Sequence, residues 1–250
     1  MKKIISCLLV CCMLLGSLLT LSSCGTAQTL ERAIEKTERL DDFHAEMSMV
    51  ITTTANGVSV SVPVSIEMKV KDADKDEPII WAELSATVMG QTVESEIYCE
   101  KDMIYTLTDG VGTKERAEDS EEDHDYDETV EDMLQELPKS VLEDVEFEKN
   151  DDGSKTATIE LSGELFKDIF EEVVEDLNDG NAEDVEVDNA EVVITIEKGY
   201  VVEYDISFEM IARYGGTRTV TEVEMEVEFI DPGKRVTITP PKDYKDFDWA

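Results

Sequence analysis

Residues able to do acid, base, nucleophilic or metal chemistry are unevenly supplied in this chain. His44 and His124 are its two histidines. Neither sits in a Gly-x-Ser-x-Gly, His-Glu-x-x-His or Cys-His context, the patterns that would activate a nucleophile or hold zinc. Asp and Glu number 60, so two carboxylates close in sequence say nothing about acid and base work. One run comes nearer to a metal motif: Asp123-His124-Asp125-Tyr126-Asp127 sets carboxylates at alternate positions, like the opening of a calcium loop. The match then stops, because the sixth position holds Glu128 where glycine is needed and the twelfth holds Leu134 where a bidentate Glu is needed. Loose divalent-cation association and an ordinary solvated acidic loop both fit the run, and the second is the expectation. No catalytic residue, metal or cofactor follows, so the chain reads as a non-enzyme.

Among the cysteines, Cys24 has the most informative neighbours. The chain opens Met1-Lys2-Lys3, continues through the apolar run Ile4 to Leu19 and reaches Leu21-Ser22-Ser23-Cys24-Gly25. A positive start, an apolar run and a small-residue cleavage site form a secretory signal. A membrane-spanning helix needs about 20 apolar residues, and no Lys or Arg follows this run until Arg32 to stop transfer. Leu at −3, small residues at −2 and −1 and Cys at +1 resemble the lipobox of bacterial lipoproteins. The resemblance implies cleavage after residue 23, lipidation of Cys24, a tether over 24–28 and anchorage on the extracytoplasmic face of the cell membrane. Cys7, Cys11 and Cys12 would leave with the signal, and Cys24 would be consumed by lipid. Cys99 then remains alone, without a partner for an internal disulfide. It sits in an alternating strand, so a small buried hydrophobe is expected there.

The formal net charge is −38, and the signal removes only Lys2 and Lys3. Nucleic acid and anionic lipid surfaces are poor partners for such a field.

The rest of the sequence must build its own core, over 29–250, as a single domain. Leu30, Ala33, Ile34 and Thr37 mark a helix over Gln28 to Leu40, with Thr29 as candidate cap. Ala45, Met47, Met49 and Ile51 alternate with polar residues up to Asn56-Gly57, a strong hairpin signal. Val58 to Lys71 returns, with Pro63 suggesting an edge or a bulge. Ile79 to Val88, Gln91 to Glu100 and Met103 to Thr108 are further strands, and Thr113 to Asp127 reads as an acidic loop. A short helix is expected from Thr129 to Pro138, a hairpin from Val145 to Ser162 and an amphipathic helix from Glu164 to Leu177. Ala190 to Glu197, Val201 to Arg213, Thr217 to Ile230 and Val236 to Thr239 complete about eleven strands. Val202, Tyr204, Ile206, Phe208 and Met210 should face one way in the middle strand of that group. Val223, Met225, Val227 and Phe229 should do so in the next, as in an antiparallel sheet with one wet face.

This α+β order of about eleven strands and about three helices is similar to the LolA/LppX-like lipoprotein-carrier superfamily. That resemblance implies a curved, incompletely closed antiparallel sheet wrapped around helices, which can enclose an apolar cavity. Met-rich and aromatic stripes suit varied apolar ligands, and Phe166, Phe170, Tyr204, Phe208 and Met225 are the expected wall. The leading expectation is therefore a membrane-tethered protein that binds or transfers a lipid or other apolar ligand. The rival is a cell-envelope interaction protein with a filled core, whose partner is another envelope protein. An enzyme would need a cleft where His44 or His124 meets organised partners.

Overall fold

A computed structural model describes residues 26–75, 77–117, 145–169 and 185–249. The described chain is mostly β, an open sheet of twelve strands with two α-helices: α1 (Thr26–Glu38) and α2 (Gly163–Ile169). The strands are β1 (Phe43–Ala55), β2 (Val58–Lys71), β3 (Ile79–Val88), β4 (Gln91–Glu100), β5 (Met103–Thr108) and β6 (Val111–Arg116). They continue as β7 (Phe147–Lys149), β8 (Lys155–Leu161), β9 (Val185–Glu197), β10 (Tyr200–Tyr214), β11 (Thr217–Phe229) and β12 (Asp248–Trp249). Their order is β12-β6-β5-β4-β3-β2-β1-β11-β10-β9-β8-β7, so β12 and β7 are the ends. The pairing is antiparallel except where β12 lies parallel to β6 for two residues. The third expected helix, over Thr129 to Pro138, and the end of the second lie outside the described residues.

The chain groups into two compact units. The first holds α1, Val50–Ser61, α2, β7 to β10 and β11 as far as Met225. Here Leu30, Ala33, Ile34 and Thr37 form the buried stripe of α1, which is the helical repeat expected from the sequence. Thr37 secures that face against β10: its hydroxyl donates to the Ala33 carbonyl at 2.8 Å and accepts the Val201 N–H at 2.9 Å. α1 opens at Thr26, earlier than the capping pattern around Thr29 suggests. α2 is capped by Ser162, whose hydroxyl accepts the Leu165 N–H at 3.3 Å. Gly163 follows because a Cβ there would strike the Val187 carbonyl.

β10 departs from simple alternation. An irregularity against β9 between Val201 and Glu203 buries Val201 and leaves Val202 only half-buried, whereas Tyr204, Ile206, Phe208 and Met210 keep the inward face. The extra residue of such a bulge shifts which side chains point inward. β9 also begins at Val185, ahead of the expected Ala190, because Val185 and Val187 find partners in Ala212 and Met210 beyond a second irregularity.

The second unit holds Arg39–Met49, Val62 through β6 and the residues from Glu226 onward. Its core includes Ala45, Met47, Met49, Val64, Ile66, Met68, Val70, Leu84, Tyr98, Val227 and Phe229. Two sequence expectations fail here. Thr113 to Arg116 is strand, not loop, because Asp109 and Gly110 take the positive φ of a tight turn (51° and 81°) and set Val111 opposite Thr108. Val236 to Thr239 is not strand, as the Val236 N–H is drawn instead to the Asp42 carboxylate at 3.2 Å. The chain then continues past Pro240-Pro241 into a 3-10 turn, Tyr244–Asp246, and β12. Phe247 in that tail rests where a Cβ on Gly112 would be, and Tyr244 packs edge-on against Tyr98 and Tyr105 with ring centroids 5.1 and 4.8 Å away.

Candidate functional site

Of the five residues expected to line an apolar site, Phe166, Tyr204, Phe208 and Met225 are buried in the first unit. Phe170 and the lipidation residue Cys24 lie outside the described residues. Tyr204 and Phe208 share the inward face of β10, four residues apart, and Met225 faces inward from β11. α2 brings Phe166 down onto Phe208, with ring centroids 4.6 Å apart and planes tilted by 37°. Such a tilted aromatic contact adds about 0.5–1.5 kcal/mol to the area it buries. The result is a helix-borne aromatic cover on a strand-borne floor, with Met210 also buried on β10. Chemically the layer offers dispersion and adaptable shape.

A second arrangement, which the sequence reading did not single out, lies on the outward face of the second unit. His44 and Glu46 of β1 and Glu67 of β2 bring one ligand atom each within 4.8 Å of one another. The His44 Nε2 is 2.9 Å from Glu67 Oε1 and 3.8 Å from Glu46 Oε1. The Lys69 ammonium donates to the same Glu67 oxygen at 2.5 Å and lies 4.5 Å from the centre of the Trp81 ring. The Trp81 indole N–H donates in turn to Glu96 at 2.6 Å. A groove of about 350 Å³ opens beside these residues, lined also by Ser48, Ser65, Glu83, Ser85, Glu226 and Glu228. The Lys69 hydrogen bond holds the Glu67 carboxyl below its ordinary range, aided by the charge of Lys69 and the nearness of His44 and opposed by burial.

His44 thus meets organised partners, one of the conditions set for an enzyme. What they can do is share a proton between imidazole and carboxylate or offer one nitrogen and two oxygens to a cation. Lys69 already compensates Glu67. His124 lies outside the described residues.

The cluster was within reach of the sequence. Counting outward from the two-residue turn Asn56-Gly57 sets Thr54 against Ser59 and Thr52 against Ser61, pairs the structure joins at 2.7 and 2.9 Å. The same count sets Glu46 against Glu67 and His44 against Lys69.

The family model described as a family of unknown function, DUF6612, matches residues 26–247. The chain belongs to that family. No curated protein matches this DUF6612 chain. Among solved structures it is similar to LprF from Mycobacterium bovis, at 14% identity and a TM-score of 0.43, over 86% of this chain and 95% of that one. It is also similar to a DUF1329 family protein from Desulfovibrio piger, at 8% identity and a TM-score of 0.28, over 84% and 94%. Similarities so distant transfer no residue role. No helix among the described residues of the DUF6612 chain is long and apolar enough to cross a membrane.

Proposed function

We propose that this protein is a lipoprotein anchored through Cys24 to the extracytoplasmic face of the membrane, and that it binds or hands over a lipid or other apolar ligand. In this reading catalysis plays no part, and the sheet curves around its helices as the LolA/LppX-like resemblance implies. The ligand lies between α2 and the inward face of β10. The observation that carries the reading is the contact of Phe166 with Phe208. α2 supplies cover over Phe208, so lifting it presents a strand face of Tyr204, Ile206, Phe208 and Met210 to an acyl chain. Met side chains adapt to such a guest because their rotamers are many and their sulfur is polarizable.

The test is native mass spectrometry of the lipidated protein, purified gently from its own membrane and compared with Met225→Trp. A co-purifying lipid is expected in the parent protein. The variant should lose it while melting at nearly the same temperature, because the indole takes up room that a ligand used. In a filled interior the same change overpacks the core and costs about 1–3 kcal/mol. Absence of lipid from both proteins, together with that loss of stability, would leave the packed envelope interaction module as the correct reading.

A further inference from the structure

Charge is absent from one stretch of this chain and one-signed in another. Met47 to Ile66 run for twenty residues without a charged side chain, although 33% of the whole chain is charged. Met210 to Thr221 contain no acid and two cations, Arg213 and Arg218. In the first unit the fold unites the tips of these stretches. The β1–β2 hairpin turns at Asn56-Gly57 and the β10–β11 hairpin at Gly215-Gly216. β1 neighbours β11, and the Thr53 and Thr221 hydroxyls stand 3.4 Å apart, which sets both tips at the same end.

That end is unusual in what it shows to solvent. Val50, Val58 and Val60 are exposed, Val58 to 67%, and so are Arg213 and Arg218. The hairpin hydroxyls are paired with each other, Thr52 with Ser61 and Thr54 with Ser59, so they need little from water. Polar side chains satisfied within the hairpin lower the cost of entering a poorly hydrated medium.

We propose that these two hairpin tips, acid-free in themselves, dock on the surface of a bilayer with anionic headgroups. Val58 and Val60 enter the boundary between headgroups and acyl chains, and Arg218 meets a lipid phosphate. The inference rests on the anchor reading at one point. Cys24 stands two residues before α1 begins at Thr26, so a lipid there holds this unit close to the bilayer. The net charge of −38 makes the rest of the surface a poor partner, and that selects the orientation. Fields are screened over about 8 Å at physiological ionic strength, and β10 alone, with 15 residues, spans about 50 Å. Acids at the far end therefore do not oppose contact at the near one, where Glu186, opposite Ile211 on β9, is an exposed acid that stands near the tips.

The experiment reconstitutes the mature lipidated chain, in a Cys99→Ser background, on phosphatidylethanolamine and phosphatidylglycerol vesicles that carry a nitroxide near the lipid glycerol. An environment-sensitive dye is attached at Val58→Cys or at Asp151→Cys. Asp151 is exposed in the β7–β8 turn, at the opposite end of the same unit, since Lys155 pairs with Ile196 and Tyr200 with Glu197. The Val58 dye should shift to the blue and be quenched several times more strongly than the Asp151 dye. Adding Val60→Asp and Arg218→Glu should abolish the quenching while the chain still floats with the vesicles. One arginine near an anionic surface strengthens association about fivefold, so high salt should weaken the quenching as well.

A chain that floats with its Val58 dye quenched no more than the Asp151 dye overturns the docking and leaves the anchor standing. A chain that does not float overturns both. A Val58 shift that needs no vesicles and grows with protein concentration assigns the surface to a second copy, and the bilayer proposal is wrong.

Discussion

The layer under α2 and the groove beside His44 are made by the same device, strands whose side chains alternate between two faces, yet different forces fix them. In the layer, Phe166 and Phe208 are held by the area they remove from water, and no direction is imposed beyond a ring tilt. In the groove, Glu67 is held by two named donors at hydrogen-bond distance while remaining about one-third exposed (36%). Alternation tells which residues point outward. What they do there depends on cross-strand register, which alternation alone does not carry.

The strongest way to break the comparison is to remove the floor of the layer. Phe208→Ala is expected to cost about 3–5 kcal/mol, the usual range for a large aromatic deleted from a core, measured as the shift in the denaturation midpoint. A loss below about 0.5 kcal/mol, no larger than a typical surface change, would mean that Phe208 faces a space already unfilled. That outcome would favour a standing cavity over a cover that must lift.

The difference between the two regions also explains how much could be read in advance. The inward faces of β10 and β11 were legible because Tyr204, Ile206, Phe208, Val223, Met225, Val227 and Phe229 alternate with acids and hydroxyls, and burial follows hydropathy directly. Val202 was misplaced because a bulge is a property of two strands, invisible in one. β6 was missed for a related reason: Val-Gly-Thr-Lys-Glu-Arg has little strand character of its own and takes its structure from β5 through the Asp109-Gly110 turn. The expected strand at Val236 was lost to a carboxylate 194 residues away in sequence, Asp42. The His44 cluster is a different kind of omission, because Asn56-Gly57 was recognised and its register only had to be followed to Glu67 and Lys69.

A second comparison sharpens the first at lower cost to the fold. Cys99 has its thiol pushed up to about 11 from an ordinary 9.0, and burial is the cause. It is the free cysteine among the described residues and is half-buried, where the sequence suggested a buried one. That rise leaves about a hundredfold less thiolate at neutral pH, so alkylation in the native protein should be slower than in the unfolded chain by about that factor. Equal rates would show that the half-buried thiol meets reagent freely, and burial in the second unit would then be a weaker constraint than the layer in the first.

The smallest effect belongs to Glu67, where partners prevail over burial. Its folded pKa lies below the ordinary 4.5, first through the Lys69 hydrogen bond and then through the charges of Lys69 and His44. A group whose folded pKa is depressed stabilises the protein above its unfolded pKa, and the contribution fades as pH falls through the folded value. Glu67→Gln keeps the shape and removes the charge, so it should lower the melting temperature slightly at pH 7 and hardly at all in strong acid, where the parent carboxyl is protonated too. The loss at pH 7 should be small because a pair with this exposure is screened by water and salt. His44→Gln in the same background should add little, since both changes remove the same contact. Should Glu67→Gln instead raise stability at pH 7, the repulsion from Glu46, Glu83, Glu226 and Glu228 around the groove would outweigh Lys69. The groove would then be an arrangement of acids under strain, and its contrast with the layer would be one of sign as well as size.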